Sequence, residues 1–116
     1  MNTPTPYDKI GLCNDLGRLS DEIRLNSSYI KADMKTVGIR VNQLMRGNVS
    51  FMASWNYVVA LVSRSDYPST ETQQLRAGGI LQEMVFDLYV SLPKTQQAGL
   101  HLSKESWVYL YYRLNY

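Results

Sequence analysis

Histidine and cysteine, the side chains that most often carry protons or attack carbon near neutral pH, occur once each, as His101 and Cys13. A Cys–His pair must lie within hydrogen-bond reach to act, and nothing around these two suggests that it does. One of each also falls short of the four ligands of a structural zinc site. No phosphate loop of the G-x-x-x-x-G-K-S/T or G-x-G-x-x-G kind occurs, and no G-x-S-x-G. The best remaining candidates are Glu83 and Asp87, four apart and so on one helical face, among Met84, Val85, Phe86 and Leu88. Two carboxyls can divide acid and base work when burial separates their pKa values, but solvated helix faces carry the same spacing routinely. Asp21 and Glu22 read as first-turn acids behind a Ser20 cap. Catalysis, a cofactor and a metal are therefore not expected.

Binding chemistry is better represented. Between Arg24 and Arg64 stand Arg24, Lys31, Lys35, Arg40, Arg46 and Arg64 against a single acid, Asp33. That segment carries +5, while the whole chain carries only +2. On one helix Arg24, Lys31, Lys35 and Arg46 project about 100–160° from the apolar seam, as an outer stripe. Such a stripe is a solvated face, a track for phosphates, whose affinity would fall steeply with salt, or a contact for an acidic protein partner. Five of the last ten residues, WVYLYYRLNY, are aromatic. If they are helical, Trp107, Leu110, Tyr111 and Leu114 share a face that can complete a core. Tyr109, Tyr112 and Tyr116 then point elsewhere. Tyrosine gives contact area with a polar tip and is favoured at interfaces, so Trp107, Tyr109, Tyr112 and Tyr116 are the expected partner-binding residues.

The elements that must carry these side chains read as helices. Thr5-Pro6-Tyr7-Asp8 is a start signal. Apolar residues then recur at Leu12, Leu16, Leu19 and Ile23, and again at Ile30, Met34, Val37, Val41 and Leu44. Each group steps by four, three and four, the seam of an amphipathic helix. Ser27 interrupts the seam, and two outcomes fit: a stutter in one long helix, or a break at Asn26-Ser27-Ser28, three residues that favour caps. One long, kinked helix over 6–46 is the preferred expectation. Gly47-Asn48 stops it, and Ser50 can cap a second helix bearing Phe51, Met52, Trp55, Val58, Val59 and Val62. A third follows Pro68, capped by Ser69 or Thr70, with Leu75, Leu81, Val85, Leu88 and Leu92 on its apolar side and Pro93 after it. The Gly78-Gly79 pair inside it marks close packing or a later start, since two glycines cost ~2 kcal/mol relative to alanines. Ser103 can cap a last helix. Residues 104–116 also alternate like a strand, but a lone strand would have no partner.

The chain is 116 residues long, enough for one modest core and not two. A single cysteine fits a reducing compartment. No basic segment followed by an apolar run opens the sequence, and no apolar run approaches the ~20 residues of a membrane span. The expectation is one all-α, cytoplasmic domain of about four helices, 1–116, with 1–5 flexible. A helix of about 40 residues would span ~60 Å, more than three short helices can cover. It predicts a homodimer joined along Leu16, Ile23, Ile30, Met34, Val37 and Val41. The expected function is a non-catalytic adaptor, inhibitor or regulator acting through a protein surface. The alternative is a dimeric nucleic-acid-binding regulator that uses the basic stripe.

Overall fold

The apolar stripe of the N-terminal half is continuous in sequence and folded back in space. The computed structural model describes residues 6–64 and 71–116, with side chains from Lys9 onward. The expected flexible N-terminus with its Thr5 cap, and the 65–70 connection with its Ser69 or Thr70 cap, lie outside the described residues. In place of one helix over 6–46 there are two, α1 (Pro6–Arg24) and α2 (Ile30–Met45).

The break has a defined cause. Asn26 adopts a left-handed φ of 58°, the only positive φ among the described residues. The Ser27 N–H donates to the Glu22 carbonyl at 2.9 Å, and the Asn26 N–H donates to the Ile23 carbonyl at 3.1 Å. These two bonds form a Schellman stop with asparagine in the position glycine usually fills. The Ser27 hydroxyl then accepts from the Tyr29 N–H at 3.2 Å, which shapes the chain for α2. Two of the three residues that looked like caps, Asn26 and Ser27, end α1 and lead into α2, and the stutter does not form.

Two further helices complete a four-helix ring, α3 (Val49–Ser63) and α4 (Glu71–Ser91). Neighbours around the ring are α1–α2, α2–α3, α3–α4 and α4–α1, with α1–α4 the most extensive pair and α2–α3 the least. Asn48, rather than Ser50, caps α3: its side chain accepts from the Phe51 N–H at 3.1 Å, while the Ser50 hydroxyl donates to it. The α1–α4 contact is close because Gly78 has no side chain. A Cβ there would lie 3.4 Å from Arg24 Cγ, and the Ser20 hydroxyl donates to the Gly78 carbonyl at 3.1 Å. Gly79 faces open space, so only one of the two glycines serves packing.

The core is the stripe the sequence announced. Leu12, Leu16, Leu19 and Ile23 of α1 and Ile30, Met34, Val37 and Val41 of α2 are buried with Phe51, Trp55, Val58, Val62, Leu81, Val85 and Leu88. Leu75, expected among them, is 59% exposed on the first turns of α4. The molecule measures 41 Å along its longest axis, too short for a 60 Å helix.

A one-turn helix, α5 (Lys94–Gln97), and α6 (Lys104–Asn115) follow. The C-terminal segment is helical, and Ser103 caps it by accepting from the Ser106 N–H at 3.3 Å. Its inward face is not the expected 107–110–111–114 face. Ser106 and Leu110 are buried, Arg113 is half-buried, and Tyr111 and Leu114 stand 69% and 52% exposed. The reason is polar docking: Gln82 Nε2 donates to Ser106 Oγ at 3.0 Å, and Arg113 forks onto Glu83 at 2.7 and 3.0 Å. These bonds rotate α6 so that its most apolar side faces outward.

The reversal is testable through its left-handed residue. Asn26→Gly should hold or slightly raise stability, and Asn26→Val should lower it by about 1–2 kcal/mol, because a β-branched side chain resists that backbone. Urea midpoints at unchanged m-value would show this; equal midpoints for the two variants would contradict the left-handed stop.

Candidate functional site

The chemistry-bearing residues are placed first by burial. Cys13 is fully buried on the α4 side of α1, its thiol pointing at the Val85 carbonyl 3.7 Å away. Burial pushes that thiol up to about 12, so it stays protonated and unreactive. The fold does bring His101 near in the chain path: its backbone N–H donates to Asn14 Oδ1 at 2.8 Å. The histidine is exposed while the thiol faces the core, so the two do not form a pair. Among the described residues no three His, Cys, Asp or Glu side chains cluster closely enough to hold a metal.

Glu83 and Asp87 share a face of α4, as their spacing requires. Glu83 is committed to Arg113, whose guanidinium also lies over the Phe86 ring at 4.1 Å from its centroid. Burial raises the Asp87 carboxyl above its ordinary value; the Glu83 charge adds to this and Arg113 opposes it. Of the two, Glu83 is the one bonded to α6, through Arg113.

A second carboxyl pair, absent from the sequence expectations, spans α1 and α2. Glu22 lies beside Asp33, with the Arg18 guanidinium 3.9 Å from each. One and two turns back along α1, Asp15 takes Arg18 at 2.9 Å and Arg40 at 3.0 Å. Residues equidistant from a helical reversal face one another in the hairpin. Glu22 and Asp33, and likewise Asp15 and Arg40, are equidistant from the Ser27–Ser28 bond. That symmetry was the available signal, and it carries weight only once the break is placed. Desolvation, then a hydrogen bond with Asp33 and repulsion by its charge, raise Glu22 from 4.5 to about 7, against the pull of Arg18.

The basic stripe is divided by the reversal. Arg24 sits on α1, paired with Asp21, and Arg40 turns to Asp15. Lys31, Lys35 and Arg46 make no ion pair among the described residues. Lys31 and Lys35 edge a groove of about 980 Å³ between α2 and α3. The six residues expected to join two copies, Leu16, Ile23, Ile30, Met34, Val37 and Val41, all lie in the core of a single chain, none more than 5% exposed. The uncovered seam from which a dimer was expected does not exist.

The ring-rich helix α6 carries a run of exposed apolar side chains. Trp107, Val108, Tyr111, Tyr112, Leu114 and Tyr116 are exposed by 39, 57, 69, 62, 52 and 87%. Tyr112 and Tyr116 stack on each other at 4.7 Å, and Trp107 meets Tyr89 edge-on at 6.2 Å. Of the four expected binding residues, Tyr109 alone is half-buried; Tyr111, assigned to the core by its spacing, is outside. Comparison with protein-family models, characterised proteins and solved structures finds no match. No helix among the described residues is long and apolar enough to cross a membrane.

The Glu22–Asp33 contact makes stability depend on pH. The folded chain holds the Glu22 proton more tightly than the unfolded chain, so this contribution is complete below about 4.5 and is lost as the pH rises through about 7. Glu22→Gln should therefore be more stable than the parent at about pH 8, by on the order of 1 kcal/mol after solvent screening. The difference should fade near pH 4. Urea denaturation of both proteins at the two pH values measures it; a constant difference would remove the carboxyl contact from the account.

Proposed function

We propose that this chain is a non-catalytic binding protein, an adaptor, inhibitor or regulator, that engages a protein partner through the outward face of α6. The observation that carries this is the exposure of Trp107, Val108, Tyr111, Tyr112 and Leu114 together on a twelve-residue helix. Apolar residues scattered singly over a surface need no explanation, whereas a contiguous patch marks an interaction site. Tyrosine and tryptophan are the residue types that dominate such sites. The helix is also held in place before any partner arrives, by the Arg113–Glu83 fork and the Gln82–Ser106 bond. Fixing an interface in advance lowers the entropy lost on binding.

A photo-crosslinking phenylalanine at Tyr111 should join the chain to one discrete protein in its native cells, while the same group at the exposed Asn56 of α3 should not. Tyr111→Ser with Tyr112→Ser should abolish capture at position 107 and leave the melting temperature within a few degrees, as exposed substitutions do. Equal crosslinking from Tyr111 and Asn56 would sink the proposal.

A further inference from the structure

The α2–α3 pair, the loosest in the ring, opens outward into the groove of about 980 Å³. Its floor is made by Met34, Trp55 and Val62, with Ile39 standing 62% exposed on the wall. Gly38 keeps the floor low: a Cβ there would sit 3.4 Å from the Trp55 ring. The two lysines on its edge, Lys31 and Lys35, are one turn apart on α2 and exposed. Neither is ion-paired among the described residues, and no acidic side chain lines the groove. The one acid of α2, Asp33, faces α1, and α3 contains no charged residue at all.

We propose that this groove docks an amphipathic helix of a partner protein, with apolar residues seated between α2 and α3 and acidic residues one turn apart against Lys31 and Lys35. Along α2 the groove runs from Lys31 to Gln43, about 18 Å of helix, or three turns. A helix about 10 Å across is the shape that fills a trough between two helices, through anchors spaced three and four apart. Two cations one turn apart match two carboxylates at the same spacing on the guest. A single-headed amphiphile would use one cation and leave the other unmatched, whereas a helix with two carboxylates one turn apart uses both. A phosphate track would need cations along a polar surface, whereas Ile39 and Val59 form this one. The site is separate from the α6 face and does not depend on it.

The test uses the full chain and a fluorescein-labelled helical peptide of about four turns. Leucines occupy one face of the peptide and glutamates flank them; a second peptide carries lysines instead. Anisotropy should show the acidic peptide binding and the basic one not. Lys31→Glu with Lys35→Glu should weaken the acidic peptide by about tenfold or more and admit the basic one. Because both lysines are exposed and unpaired, the circular dichroism melt should be unchanged; Ile39→Ser, which alters no charge, gives a second loss of binding through the apolar wall. Tyr111→Ser should leave peptide binding untouched, which separates failure here from failure of the α6 proposal. Equal binding of both peptides, or no effect of the lysine reversal, would overturn the proposal. So would lysine-dependent binding of laurate or of a DNA duplex without binding of the peptide. A dimer that the Lys31 and Lys35 changes dissociate would assign the groove to a second copy and overturn it as well.

Discussion

At Asn26 the backbone turns left-handed, two hydrogen bonds close α1, and the chain reverses over Leu25–Tyr29. The rest of the molecule follows from that reversal. It folds one apolar stripe onto itself, so that Ile23 and Ile30 meet in the same core instead of lying on an extended rod. It sets the register that puts Asp15 against Arg40 and Glu22 against Asp33. It also turns Lys31 and Lys35 away from α1 and onto the edge of the α2–α3 groove. The residues that permit it are ordinary. Asparagine tolerates the left-handed region better than other side chains with a Cβ, and Ser27 supplies an acceptor for the next N–H.

Helix positions were legible in the sequence because each is written by a stripe and a stop. The Gly47-Asn48 stop, the Ser103 cap and the start at Pro6 can be read from residue type alone. The choice between stutter and break was not legible from spacing, because steps of four and three are preserved on both sides of Ser27. Only the energy of burying the stripe within one chain decides it, and that depends on α4 lying against α1. Gly78, with Ser20 bonded to its carbonyl, is what lets α4 come so close.

The surfaces were legible in composition and misassigned in orientation. Rings at 107–116 were visible at once, but their facing was set by Arg113 and Ser106, residues that an apolar pattern ignores. A charged side chain forking onto Glu83 lies on the inward side of the helix beside the buried Leu110. The outward face became Tyr111 and Leu114 rather than Arg113. The lysines were likewise visible as a stripe, and only the reversal shows that Arg24 leaves it while Lys31 and Lys35 stay together.

The most direct test of the account is a distance across the reversal. Spin labels at Lys9 and Gln43, with the buried Cys13 left native, report by pulsed electron resonance whether α2 lies back along α1. Packed helix axes run about 8–10 Å apart, so with the label linkers the folded-back chain predicts a narrow peak near 15–25 Å. A single helix through Asn26 would separate the same positions by ~50 Å, and a peak there would contradict the reversal and the core, carboxyl pair and groove that depend on it.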